Sequence, residues 1–191
     1  MKKKSIVLLM LLMISTGIHA QQAGQSIFGF RLGMAWGLWA GLGSGESNLS
    51  SFDNHVLIFI PALYYAFTFR DNLSLQMEFN IIEQGIEWDD GRDSGWWTYG
   101  SIDIPVLLRA GFFHGLLGFM AGPHISIPFA GGGVYADPSM TFGATAALIG
   151  LFPIGNARIV GDMRFITDFN EVVAGLRRQA FGIAMGIEWS F

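Results

Sequence analysis

The residues whose types and spacing come nearest to a catalytic arrangement are His124 and Ser126. Two residues apart on a β-strand, their side chains would project from the same face. A histidine beside a serine places a general base beside a nucleophile, as acyl transfer requires. However, the alternation of Leu117, Phe119 and Ile125 puts His124 and Ser126 on the opposite face, and no acidic partner is evident. The sequence therefore predicts a hydrogen-bonding pair inside the protein and no catalytic residues.

Three other features contain residue types that occur in ligand sites. The segment WDDGRDSG could offer carboxylates to Ca²⁺, but it lacks the spacing and closing Glu of an EF-hand loop, so a solvated loop is predicted. The glycines at 131–133 do not lead into Gly-Lys-Ser/Thr and imply no phosphate cradle. His55 and His114 are isolated from other metal ligands. The sequence predicts no metal and no cofactor. The charged residues of the acidic segment and its flank are Glu87, Asp89, Asp90, Arg92 and Asp93, ahead of Trp96 and Trp97.

Eight charged side chains share a face with Gly, Ala and Ser, opposite a face of bulky apolar residues. Inside a narrow barrel such charges must pair, because an unpaired buried charge is very costly. We predict that Arg31 pairs with Glu188, and that Glu78 pairs with Arg109. The alternative is a polar conduit for a small solute or a proton. The eight residues are Arg31, Glu78, Asp103, Arg109, Arg158, Asp162, Arg164 and Glu188.

The elements that position these residues are predicted to be β-strands, because the apolar pattern has a period of two. From Phe181 to Phe191, large apolar side chains alternate strictly with small or polar ones, and the stretch from Phe28 to Leu38 does the same. A face of small residues with a few charges suits the crowded interior of a narrow barrel, and the bulky apolar face suits contact with lipid.

The whole pattern predicts an all-β fold, an eight-stranded antiparallel up-and-down transmembrane β-barrel. Short turns alternate with longer polar links, as in transmembrane barrels, whose short turns lie in the periplasm. The predicted strands are 27–40, 54–69, 72–86, 97–111, 115–129, 139–152, 156–168 and 178–191. The short turns are 70–72, 112–115 and 152–156, and the longer links are 41–53, 87–96, 130–138 and 169–177.

Residues 1–20 have the features of a secretory signal peptide: three lysines, an apolar stretch from Ile6 to Ile14, and Ala20 before the predicted cleavage site. Cleavage would remove every lysine and leave 8 Arg against 15 Asp and Glu, a formal charge of −7. That charge argues against nucleic-acid binding. The chain has no cysteine, so no disulfide holds the fold. Residues 21–191 are predicted to form one barrel domain in the bacterial outer membrane.

The central stretch SIDIPVLLRAGFFHGLLGFMAGPHISI carries an Ile-Pro pair at Ile104-Pro105, then Arg109, then Gly122-Pro123. The preceding LSLQMEFNIIEQG has Glu78 and the closing Gly85. In these features the chain resembles the small bacterial outer-membrane β-barrel domain of the PorT- and OmpX-like group. The resemblance implies an outer-membrane barrel and assigns no activity.

The functional prediction is a small non-enzymatic outer-membrane barrel with a side-chain-filled lumen. It would support envelope integrity or present outer loops to a host or environmental ligand. The alternatives are a narrow transporter of small hydrophobic molecules and, third, a lipid-modifying enzyme, since the eight-stranded barrel that deacylates lipid A uses a His and a Ser two apart. Predicted partners are outer-membrane lipid and the outer-membrane assembly machinery, which would recognise the last strand ending in Phe191. We expect a monomer.

Overall fold

The computed structural model describes residues 21–41, 56–89, 94–113, 115–131, 138–172 and 176–191. The predicted signal peptide, His55, His114 and residues 90–93 of the predicted acidic loop lie outside these ranges. No helix in the described part of the chain is long and apolar enough to cross a membrane.

Eight antiparallel strands form a closed barrel in sequence order. The first and last strands close it, with Ile27 opposite Ser190 at one end and Gly41 opposite Leu176 at the other. The predicted up-and-down barrel is therefore confirmed. The strands are β1 (Ser26–Gly41), β2 (Val56–Arg70), β3 (Leu73–Asp89), β4 (Ser94–Phe112), β5 (Leu117–Gly131), β6 (Thr141–Ile154), β7 (Ala157–Asp168) and β8 (Leu176–Ser190).

The strand limits agree with the predicted ones to within three residues, and the largest differences flank the predicted link 87–96. There β3 runs on to Asp89 and β4 begins at Ser94, with Glu87 opposite Trp96 in the ladder. The prediction ended the strands too early because polar residues dominate this stretch. Two strands pair through backbone hydrogen bonds and need no apolar face for this. The β3–β4 hairpin therefore extends beyond the point where the alternation of apolar and polar side chains stops.

The side chains are arranged as the alternation predicts, with bulky apolar residues outside and charged residues inside. On β8, Trp189 is 44 % exposed while its neighbour Glu188 is fully buried. Phe28 and Phe181 face outward in the same way, and Arg31 lies inside. Because the apolar side chains form the outer surface, the barrel has the exterior of a protein that sits in lipid.

The interior is filled by layers of side chains. On β7 the inward residues run Val160, Asp162, Arg164 and Ile166, so an ionic layer lies between two apolar ones. Leu107, which breaks the alternation of β4, faces inward and is fully buried. The first apolar cluster is Ile27, Tyr64, Ala66, Leu107, Met120, Ala147, Ile149, Leu151 and Val160. The second is Ala35, Ile60, Ile82, Ile166 and Ala180.

Candidate functional site

The two ends of the barrel differ in their connections. The turn end carries the short β2–β3, β4–β5 and β6–β7 connections, and the loop end carries the other connections between successive strands. Residues 21–25 lie across the turn end, where Asn72 donates its N–H to the carbonyl of Gln21 at 3.0 Å. Ala23 N–H donates to Asp71 at 3.0 Å, and the Ser74 hydroxyl donates to the Gln21 side chain at 3.0 Å. This segment therefore lines the turn end of the lumen.

The turn-end cluster consists of Tyr64, Arg109, Arg158 and Glu188. Arg109 donates two hydrogen bonds to Glu188, from Nη1 to Oε2 at 2.8 Å and from Nη2 to Oε1 at 2.9 Å. The Tyr64 hydroxyl donates to Oε2 at 2.9 Å, and Arg158 Nε lies 2.9 Å from Oε1. One carboxylate thus lies among two guanidinium groups and a phenol, a geometry that favours its charged form.

The middle ring consists of Arg31, Glu78, Asp162 and Arg164, with cations and anions alternating. Arg31 lies 2.6 Å from Glu78 and 2.8 Å from Asp162. Arg164 makes a bidentate contact with Asp162, at 2.9 and 3.0 Å, and lies 3.2 Å from Glu78. Each guanidinium therefore bridges both carboxylates, and strands β1, β3 and β7 are joined across the lumen.

The loop-end cluster consists of Asp103, His124, Asp168 and Arg178. Arg178 Nη2 lies 2.8 Å from Asp103 and 3.0 Å from Asp168. His124 Nε2 lies 2.7 Å from Asp168, although the two residues belong to β5 and β7. The imidazole crosses β6 at Gly143, where an added Cβ would come 2.7 Å from His124 Cε1. Glycine at this position is what allows the histidine to reach the aspartate.

The predicted pair Arg31–Glu188 is wrong, because Tyr64 lies between them. In the β1–β8 ladder Glu188 is opposite Gly29, and Arg31 is opposite Gly186. The Tyr64 ring occupies the space that a side chain at Gly29 would need. Its hydroxyl bonds Glu188, and Arg31 Cζ lies 4.7 Å from the ring centroid. The tyrosine thus directs the two charges to different partners.

The predicted pair Glu78–Arg109 is also wrong. In the β3–β4 ladder Arg109 is opposite Ser74, four residues before Glu78 on β3. Gln76 occupies the intervening inward position, accepting a hydrogen bond from Arg109 at 3.2 Å and donating one to Glu78 at 2.6 Å. The glutamine links the turn-end cluster to the middle ring through its amide.

Several lumen residues were missed by the sequence analysis. Asp168 and Arg178 could have been found, because they share the parity of Asp162 on β7 and Glu188 on β8 within the predicted strands. Tyr64 gave no such signal, since both faces of β2 are largely apolar. Asp168 matters most, because it supplies the acidic partner of His124 that the sequence did not reveal.

The predicted hydrogen-bonding pair of His124 and Ser126 is wrong, because within the described ranges the His124 ring bonds other residues. Both residues face inward and are buried, as predicted. His124 Nδ1 lies 3.1 Å from the Thr145 hydroxyl, and Nε2 contacts Asp168. Both ring nitrogens are therefore engaged within the lumen wall, which leaves neither for activating Ser126. No three His, Asp or Glu side chains within the described ranges are placed to hold a metal ion.

The three groups together are electrically neutral. The middle ring is neutral by itself, but the turn-end and loop-end clusters are not. In the described part of the chain, five guanidinium groups and five carboxylates make the ion pairs of these groups. The turn-end cluster has two cations and one anion (+1), and the middle ring has two of each (0). The loop-end cluster has one cation and two anions (−1) when His124 is neutral. The surplus cation at the turn end is the least compensated positive charge of the three groups.

Two solved bacterial structures share this architecture. The outer membrane protein OprG from Pseudomonas aeruginosa matches with a TM-score of 0.65 and 10% identity, covering 90% of this chain and 98% of OprG. Ail, the attachment invasion locus protein of Yersinia pestis, solved with the heparin analogue sucrose octasulfate, has a TM-score of 0.50 and 11% identity. That match covers 89% of this chain and 100% of Ail. No protein-family model and no curated protein sequence matches.

Proposed function

Because the chain has the fold of the small bacterial outer-membrane β-barrels, we propose that it is a non-enzymatic outer-membrane protein with a closed lumen. Its lipid-facing wall holds it in the membrane, and its loop end is the part that meets partners. It acts by supporting the envelope or by binding a host or environmental ligand at the loops, and it does not conduct solutes.

The observation that carries this proposal is the middle ring. Its four members are each at most 5 % exposed and are bonded to one another across the lumen. An apolar cluster lies on each side of the ring along the barrel axis. Eight-stranded barrels are just wide enough for side chains to fill, and this packing supports a lumen without a water-filled channel.

The same packing argues against the two alternative functions. A transporter that carried small hydrophobic molecules along the whole axis would have to move them past four buried ionic groups, which an apolar solute cannot solvate. Such a cargo could only enter the barrel mouth and leave sideways above the middle ring. An enzyme acting on lipid acyl chains would need its histidine on the outer wall. The His124 side chain points inward, and its two ring nitrogens contact Thr145 and Asp168.

The proposed topology places the turn end in the periplasm and the loop end outside the cell, as in other barrels of this class. Phe191 and Trp189 then lie at the periplasmic edge, exposed on the outer wall, where the assembly machinery would recognise them. The segments that join the strands at the loop end are the proposed contact surface. Ail, a barrel of similar fold, was solved with a heparin analogue, which supports a ligand-binding role.

Conductance in planar lipid bilayers tests the closed lumen. The wild-type protein is expected to give no stable, ion-selective channels. Arg31→Ala removes one bridging guanidinium from the middle ring and is expected to give brief openings. Arg70→Ala is the matched control, because Arg70 is exposed at the end of β2, and it is expected to stay silent. Stable, selective channels formed by the wild-type protein would overturn the proposal.

A further inference from the structure

A polar patch lies on the outer wall at the loop end of β7 and β8. It consists of Thr167, Arg177 and Gln179, whose half-buried side chains alternate along the strands with the buried, inward Asp168 and Arg178. Thr167 is opposite Gln179 in the β7–β8 ladder. Arg177 lies two residues from Gln179 on β8 and therefore on the same face, next to the last pair of the ladder with β1. The three polar side chains are thus neighbours on the outside of the barrel.

Arg177 differs from the other arginines in the described ranges. Five of those make ion pairs inside the lumen, and Arg70 is exposed to the surroundings at the turn end. Arg177 makes no ion pair with any described residue, and its Nε is buried against the wall without an acceptor. Nε is the only nitrogen of this side chain in that state, so its two terminal nitrogens remain accessible from outside the barrel. A cation held against an apolar wall is costly unless an anion reaches it.

The patch lies where the outer wall passes from apolar to polar residues. The outward residue of β8 that follows it toward the turn end is Phe181, which is 42 % exposed and opposite Trp36, 44 % exposed. At the same end of the wall, the rings of Phe142 and Phe169 pack edge to face with centroids 6.3 Å apart. Aromatic side chains form girdles at the two interfaces of a transmembrane barrel. Arg177 therefore lies on the headgroup side of a girdle.

We propose that this patch binds a phosphate group of lipid A, the phosphorylated lipid of the outer leaflet, through Arg177. The proposal rests on the proposed topology, which puts the loop end outside the cell. A guanidinium group binds phosphate through two N–H donors, and the Gln179 amide and Thr167 hydroxyl supply further donors. The ligand carries acyl chains, because the patch continues directly into the lipid-facing wall. A phosphate at the boundary between headgroup and acyl chains meets both requirements.

NMR titration of the folded barrel in detergent micelles tests the proposal, with the arginine side-chain N–H signals as the readout and diphosphorylated lipid A as the probe. The Arg177 signal is expected to shift and to saturate. Dephosphorylated lipid A keeps the acyl chains and is expected to leave the signal unchanged. Inorganic phosphate is expected to bind about tenfold or more weakly than lipid A, because it has no acyl chains to contact the wall.

Arg177→Gln is expected to weaken lipid A binding about tenfold or more, because it removes charge-assisted hydrogen bonds. The variant should fold, since Arg177 has no ion pair to lose, and circular dichroism checks this. Arg177→Lys retains the charge and should keep part of the affinity. Arg70→Gln is the matched control, because it removes an exposed cation from the opposite end of the barrel and should bind as the wild type does. Unchanged binding by folded Arg177→Gln would overturn the proposal, as would equal binding of dephosphorylated lipid A or of inorganic phosphate.

A second measurement separates a failure of the site from a failure of the topology. Ser139 is exposed at the loop end, ahead of β6. The Ser139→Cys variant is expected to react, on intact cells, with a thiol reagent that cannot cross the outer membrane, because the chain has no other cysteine and the loop end faces outward. Absence of this reaction in a folded variant would overturn the assignment to the outer leaflet together with the topology, even where lipid A binds in micelles.

Discussion

Glu78→Gln is expected to lower the free energy of unfolding by about 3–5 kcal/mol, the usual cost of removing one partner from a buried ion pair. Glu78 is fully buried between Arg31, at 2.6 Å, and Arg164, at 3.2 Å. The amide keeps the volume of the side chain but not its charge. Two guanidinium groups would then share the single carboxylate of Asp162, and the lumen would hold an uncompensated cation.

Urea unfolding of the protein reconstituted in lipid vesicles measures this loss. The matched control is Glu83→Gln, because Glu83 lies on the same strand but is exposed on the outer face. The control is expected to unfold with the wild-type free energy. Equal stability of wild type and Glu78→Gln would mean that the middle ring does not hold the barrel together.

Ile183→Arg is expected to destabilise the protein by up to about 2–4 kcal/mol, the cost of an arginine on the lipid face deep in the bilayer. Ile183 lies at the middle of β8, with its side chain exposed on the outer wall opposite Met34. An arginine there must either enter the hydrocarbon or stretch toward the headgroups. A soluble β-sandwich would respond differently, since a charge on its exposed face would be harmless.

Ile154→Arg is the matched control for depth, because Ile154 is also an isoleucine exposed on the outer wall. It is the last residue of β6 and lies beside the short β6–β7 turn, at the edge of the barrel. The cost of an arginine falls toward the interface, so the loss of unfolding free energy should be clearly smaller than at Ile183. Equal effects at the two positions would contradict the membrane placement of the barrel.

The period-two alternation was enough to predict the barrel, its strand number and the inward face of the eight charged residues that we named. It succeeded because one-sided contact with lipid imposes a strict pattern on strands such as β8. It could not predict partners, since parity assigns a side chain to the lumen but not to a neighbour across it. Arg31 and Glu188 lie on adjacent strands near one end of the barrel, but they do not pair with each other. Arg31 pairs with Glu78 and Asp162, and Glu188 pairs with Arg109.

The partners depend on registers and on individual side chains that no local pattern encodes. Tyr64 fills the space above Gly29, and Gln76 occupies the position between Arg109 and Glu78. Contacts between β5 and β7 depend likewise on a glycine of β6 that lets His124 pass. Such contacts join residues far apart in sequence, and they become visible only once the barrel is closed.

Site-directed spin labelling of β8 is the most direct test of the central claim, that bulky apolar residues contact lipid and small or ionic residues line the axis. The chain has no cysteine, so single cysteines label cleanly. Nitroxides at Phe181, Ile183 and Ile187 are expected to collide with lipid-dissolved oxygen and to avoid a water-soluble nickel complex. Labels at Ala180 and Ala184 are expected to be protected from both reagents. Protection of the first group together with exposure of the second would contradict the proposed orientation.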